Sequence, residues 1–251
     1  MDWLAGTSGY SYPDWRGSFY PETLEPEDWL TAYSQQLPAI EITETFHHLP
    51  HTHIVEQWAA AVPADFRFAV QASRQITHQL KLENVEEPLD RLIRTVATLE
   101  DKLGAVLFEL PLHLRKSSER LEQFLVQWPH DLPVAVAFHH PSWFSDEIRD
   151  LLNYYDVALC VSDEAGFPTS QATATTDWSY LRLRRANYTS EELAGWIQAM
   201  GQLELNTCLA FFSPEDAIPV PALAQNLLRL AAKPEPIRAS SVHPTGSKQT
   251  G

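Results

Sequence analysis

The chain has 251 residues, 44% of them hydrophobic and 20% charged, with eight tryptophans and a formal charge of −15. That much apolar material suits one large packed domain and excludes a disordered chain or a small disulfide-stapled scaffold. The negative balance makes nucleic acid an unfavoured partner, because a phosphate backbone calls for a basic face.

Short β-type runs alternate with helical patterns along the chain. The first strand is expected at Trp3–Thr7, followed by a helix over Pro26–Leu37 whose opening Pro-Glu-Asp suits a first turn. A strand at Ala39–Thr43 leads to a helix at Thr52–Ala61, and one at Arg67–Gln71 to a helix at Pro88–Leu103, where Leu89, Leu92, Val96 and Leu99 form one stripe. Ala105–Leu110 precedes a helix at Ser118–Trp128, and Val134–Phe138 precedes one at Ser145–Tyr155. After the strand at Ala158–Ser162, Asp163–Asp177 shows no helical stripe, so the sixth helix is expected to be short or absent. Tyr180–Leu183 is followed by a helix at Thr189–Met200, which like Ser145 opens on a capping residue before an acidic first turn. Thr207–Phe212 and a helix at Pro221–Leu230 complete the series.

Eight short strands, apolar on both faces and separated by helices, predict an α/β fold of the TIM type. This is a (β/α)₈ barrel, a closed parallel sheet with outer helices. Residues 1–232 form the single domain in this reading, and 233–251, rich in Pro, Ser, Thr and Gly, are expected to be a disordered tail. Cys160 and Cys208 lie in apolar strand runs and are expected to be buried thiols in a reducing compartment. The first residues lack a basic segment followed by an apolar one, and no apolar run is long enough to span a bilayer. A cytoplasmic protein with no membrane association is therefore expected.

The polar residues collect after the strands, on the rim where such barrels keep their chemistry. Tyr10, Trp15 and Arg16 follow the first strand; Glu41 lies in the second, with Phe46, His47 and His48 beyond it. Gln71, Arg74 and His78 follow the third, Glu109 ends the fourth, His139, His140 and Trp143 follow the fifth, Asp163 the sixth, and Arg184 and Arg185 the seventh. Glu41 reads either as a functional carboxylate or as a structural one paired to Arg74 or Arg182, since a barrel interior does not hold an unpaired charge. One of Arg182 and Arg184 is placed facing the mouth. No metal site is assigned: neighbouring residues on a strand point to opposite faces, so a His-His pair rarely chelates one ion, and a site would need one His from each pair with Glu109 or Asp163. P-loop, GxGxxG, GxSxG and HExxH motifs are lacking, and no cofactor is assigned.

Several blocks carry a family resemblance. They are Gly6-Thr7-Ser8-Gly9-Tyr10-Ser11-Tyr12-Pro13-Asp14-Trp15-Arg16-Gly17, Glu41-Ile42 with Thr45-Phe46, Leu107-Phe108-Glu109-Leu110-Pro111, His140-Pro141-Ser142-Trp143-Phe144 and Tyr180-Leu181-Arg182-Leu183. In this order they resemble the domain of unknown function 72, or YecE-like, family, and the chain is identified as a divergent member. The resemblance implies a TIM-type barrel with these blocks at its mouth. Members usually read Glu-Phe-Arg-His-Pro-Ser-Trp where this chain has Ala137-Phe138-His139-His140-Pro141-Ser142-Trp143. A usual Asn is Thr43, a usual Lys is Gln71, a usual His is Arg184, and an Asn pair is replaced by Ser213-Pro214.

Two functions stay open on these residues. In the first, the mouth processes a small polar or anionic metabolite. Glu41, Glu109, His78, His140 and Asp163 are then the catalytic candidates, and Tyr10, Trp15, Phe46, Arg74, Trp143 and Arg182 the ligand-binding ones. In the second, the barrel binds or regulates without catalysis, having lost family groups. Metal-dependent phosphodiester or nucleic-acid chemistry is a third, less favoured reading, disfavoured by the charge and by Ala137. Oligomeric state is left unassigned.

Overall fold

The computed structural model describes residues 1–164, 173–213 and 220–232. Eight strands, β1 (Asp2–Ser8), β2 (Ala39–Ile42), β3 (Arg67–Gln71), β4 (Leu103–Glu109), β5 (Val134–Ala137), β6 (Val157–Ser162), β7 (Trp178–Leu183) and β8 (Thr207–Phe212), close in sequence order into a barrel. Every pairing is parallel, including β1 with β8, so no strand edge is left open.

Side chains alternate across the wall, as a two-residue period requires. Outward residues such as Ile40, Phe68, Val106, Phe108 and Val136 join the core beneath the helices. Inward residues form a second, separate cluster in which Ala39, Ala69, Ala105, Ala135, Ala137 and Ala158 face the bulkier Tyr180, Leu209 and Phe211. The alanines make room for those rings, whose centroids lie 5.2 Å apart. Cys160 belongs to this inner cluster and Cys208 to the outer core; both are buried free thiols.

Among the described residues seven α-helices surround the sheet: α1 (Trp29–Ser34), α2 (Thr52–Ala61), α3 (Glu86–Ala97), α4 (Ser118–Leu125), α5 (Asp146–Tyr154), α6 (Ser190–Gly201) and α7 (Val220–Ala231). The stripe of α3 is buried at Leu89, Leu92 and Val96, while Asp90, Arg91 and Arg94 stay in solvent. Each such aliphatic side chain contributes about 1.5–3 kcal/mol by leaving water. This helix stops six residues before the predicted Leu103. Glu100 takes a left-handed φ of 50°, a 3-10 turn spans Glu100–Lys102, and β4 begins at Leu103 itself.

Thr189 and Glu192 form the reciprocal capping box expected at the start of α6. Ser145 holds the cap position of α5, but its buried hydroxyl bonds to nothing among the described residues. Between β6 and β7 no helix occurs among the described residues; 165–172, the tail 233–251 and Pro214 lie outside them. Among the described residues no helix is long and apolar enough to cross a membrane.

Candidate functional site

Four residues from the C-terminal halves of four strands place the centre of the mouth. Glu41 on β2, Glu109 on β4 and Arg182 on β7 point inward, with Ser8 from β1 beside them. The Arg182 guanidinium bridges the two carboxylates: Nη1 donates to Glu109 Oε2 at 2.7 Å, and Nε lies 3.0 Å from Glu41 Oε1. Arg184, two residues further on and therefore on the same face, donates to Glu41 Oε2 at 3.2 Å and to Ser8 Oγ at 3.2 Å. Both arginines thus face the mouth, rather than one of the two, and Arg74 lies exposed and apart from Glu41.

Glu41 is fully buried, and Ser8 and Tyr180 donate to its two oxygens, the latter at 2.8 Å. Burial pushes its pKa up, but Arg182, Arg184 and the two hydroxyls outweigh this and hold it below the ordinary 4.5. Glu109 accepts from Gln71 Nε2 at 2.7 Å and pairs with His139 Nε2 at 2.9 Å. Burial again raises its pKa, and the bonds from His139 and Arg182 bring it far below the carboxylate range. Two carboxylates against two guanidiniums leave this layer balanced, as buried charge must be. Below it, burial raises the Cys160 thiol to about 12, which leaves it un-ionised and inert.

These shifts make stability depend on acid. Both carboxylates have folded-state values below 4.5, so their contribution is fully present above that value and is lost as pH falls through the depressed ones. Urea midpoints measured from neutrality downward should fall steeply below pH 4.5. Glu109→Gln should flatten that slope, and an unchanged slope would remove Glu109 from the account.

A less saturated group of side chains lies above the β3–β5 sector. A π-type turn at Gln75–Gln79, which the sequence reading leaves as a connection, buries Ile76 and Thr77 and lifts His78 toward the mouth. Thr77 Oγ1 lies 2.9 Å from His78 Nδ1, and Phe46 packs edge-on against the imidazole at 5.0 Å. Burial lowers the His78 pKa; Glu109 opposes this, while Arg74, His139 and His113 reinforce it. His78 is therefore a neutral imidazole near pH 7, close to three cationic or imidazole groups.

The remaining candidates are placed differently. His140 Nδ1 accepts from the Ser142 N–H at 3.1 Å, which puts the proton of the neutral ring on Nε2. Asp163 is saturated by the Arg184 N–H at 2.8 Å, the Tyr188 hydroxyl at 2.6 Å and Arg185 Nε at 3.2 Å, and so ties β6 to β7. Trp143 is buried, stacked on Phe138 at 4.5 Å with its Nε1 donating to the Leu114 carbonyl. Trp15 is buried among Tyr12, Phe19 and Tyr20. Both tryptophans belong to the core outside the barrel wall rather than to an open pocket wall. Tyr10 and Phe46 are half-buried. No group of His, Cys, Asp and Glu able to hold a metal occurs among the described residues.

Ser8, Tyr180 and His113 are the members that sequence reasoning missed. Tyr180 was legible in principle, because Tyr180, Arg182 and Arg184 share one face of a strand. The positions at which the chain departs from the family pattern also meet in space, since Gln71 and His139 both contact Glu109 and Arg184 contacts Glu41.

Comparison with known proteins adds the relatives. The model of the family described as "Protein of unknown function DUF72" matches residues 4–247. Among curated proteins the chain is similar to the UPF0759 protein YunF of Bacillus subtilis, 28% identical over 148 residues, covering 56% of this chain and 51% of that one. It is also similar to the UPF0759 protein YecE of Escherichia coli, 24% identical over 117 residues, covering 46% and 43%. The match thus spans about half the length of these curated relatives. A DUF72 family protein of Thermotoga maritima superposes with a TM-score of 0.77 at 26% identity, over 92% of this chain and 98% of that one. One from Enterococcus faecalis does so with a TM-score of 0.78 at 19% identity, over 91% and 95%, which is a likeness of fold.

Proposed function

Since the chain belongs to the DUF72 family and its barrel brings Glu41, Glu109, Arg182 and Arg184 together at the mouth, we propose that this mouth binds a small anionic metabolite beside His78. The observation that carries the proposal is the His78 environment: a neutral imidazole near Arg74, His113 and His139, above a charge network that is already balanced. An incoming anion meets the exposed guanidinium of Arg74 there, a forked donor, while His139 is already paired with Glu109. Phe46, edge-on to the imidazole at 5.0 Å, supplies apolar surface beside it.

Catalysis, if the bound metabolite is also transformed, falls to His78 as proton acceptor rather than to Glu41 or Glu109. A carboxylate held ionised by two or three donors is a poor base and has no proton to give. The non-catalytic reading is favoured by the same saturation, because the two carboxylates serve as scaffold. Turnover of any bound anion that is lost in His78→Gln while binding persists would decide for the enzyme.

The binding test uses sulfate, whose charge is fixed across the working range, together with small di- and tricarboxylates. Calorimetric titration should show binding that weakens about tenfold in Arg74→Ala. Sulfate affinity should rise as pH falls through the depressed His78 value, because the protonated ring is the better partner for an anion. Equal affinity in wild type and Arg74→Ala, or affinity flat with pH, would overturn the proposal.

A further inference from the structure

The other end of the barrel is hollow. A cavity of about 490 Å³ opens at the N-terminal ends of the strands, a size within the usual range for small-molecule sites. Its floor is apolar, made by Leu4, Trp178 and Leu209, the inward residues two positions below Gly6, Tyr180 and Phe211. Gly104 lines the wall where β4 comes close to β3: an added Cβ would sit 3.1 Å from Arg67 Cβ, 3.4 Å from the Phe68 carbonyl oxygen and 3.5 Å from Leu209 Cδ1. Trp178 is only half-buried, and its indole N–H makes no hydrogen bond among the described residues. A second depression of about 160 Å³ shares Trp178 and Pro133 with the first and adds Trp128 and Tyr155, so the indole borders two adjoining hollows.

The rim selects the sign of an occupant. Asp2, Asp65 and Asp177 line the cavity with a single guanidinium, Arg67. None of the four makes an ion pair among the described residues. Asp177 accepts from Asn206, and Arg67 donates to the Ala64 and Phe66 carbonyls, which directs its charge to the backbone. We propose that this cavity is a second binding site, for a small organic ammonium ion with an aromatic or aliphatic body. The body fills the space over Leu4, Leu209 and Gly104, the cation lies against the electron-rich face of Trp178, and the aspartates supply the opposite charge.

The experiment uses phenethylammonium and, as a probe of like shape and opposite charge, 3-phenylpropanoate, with the leucine methyl groups of the intact protein labelled for NMR. Phenethylammonium should shift the methyl resonances of Leu4, Leu103 and Leu209, with a Kd of about 1 mM or tighter, and leave those of Leu110 and Leu114 in place. Trp178→Ala should weaken binding about tenfold. The exposed pair Asp2→Asn with Asp65→Asn, which leaves the core intact, should weaken it about threefold. Equal binding of 3-phenylpropanoate, shifts at Leu110 and Leu114 instead, an unchanged affinity in the Asn pair, or no shift at about 10 mM probe would each overturn the proposal.

Discussion

Replacing Glu41 with Gln should destabilise this protein by about 3–5 kcal/mol, a third or more of what holds an ordinary domain together. The side chain is fully buried and meets Ser8, Tyr180, Arg182 and Arg184 at once. Glutamine keeps the shape but removes the charge, so Arg182 is left with Glu109 alone and the nearly inaccessible Arg184 guanidinium loses its carboxylate partner at this site. The amide also presents a donor where Tyr180 now donates to an oxygen. For a chain of this size the loss amounts to a fall in Tm of roughly 10 °C, read by calorimetry, with a matching fall in urea midpoint. A change within about 1 kcal/mol would mean that the network holds together without its central carboxylate.

Gly6→Ala should cost at least as much. A Cβ on Gly6 would lie 1.8 Å from the Ala39 carbonyl oxygen and 2.6 Å from its carbon, with the Tyr33 hydroxyl at 3.0 Å. The obstruction is backbone, so no side-chain rotation relieves it, and β1 must move away from β2 at the register Gly6–Ala39. The same place anchors α1, because the Tyr33 hydroxyl donates to Ala39 and accepts from the Thr7 N–H at 2.8 Å. We expect a loss above about 3 kcal/mol and a large fall in soluble yield. Gly195→Ala on α6, where nothing lies within 4 Å of the new methyl, is the control and should gain about 0.5–1 kcal/mol. A Gly6→Ala protein that melts with the wild type would refute the tight β1–β2 approach.

How much of this was legible in the sequence differs between fold and site. The strands were legible because a wall buried on both faces leaves apolar runs such as Val134–Ala137 and Thr207–Phe212 between polar connections. A carboxylate within Ala39–Ile42 and an arginine within Trp178–Leu183 announced a buried pair. Arg182 stood beside Arg74 as a candidate partner of Glu41, but which of the two Glu41 meets, and that Arg184 joins, was not legible. β2 and β7 are not neighbours, so the meeting of Glu41 with Arg182 and Arg184 depends on closure and stagger across the barrel, which no local pattern records. Trp15 and Trp143 were rightly located near the strand ends, but composition does not reveal that both turn into the core. The lower cavity left no signal because Asp65, Gly104 and Pro133 are ordinary connection residues until the barrel brings them together.

The ladder Trp178, Tyr180, Arg182 on β7 divides the interior into three storeys. With about 3.3 Å of rise per residue, the hollow and the charge network stand roughly 13 Å apart along the strand. The wholly inaccessible rings of Tyr180 and Phe211 form the septum between them. The septum separates the two ends sterically: a side chain in the hollow and one in the charge network share no contact, so either can be repacked without moving the other.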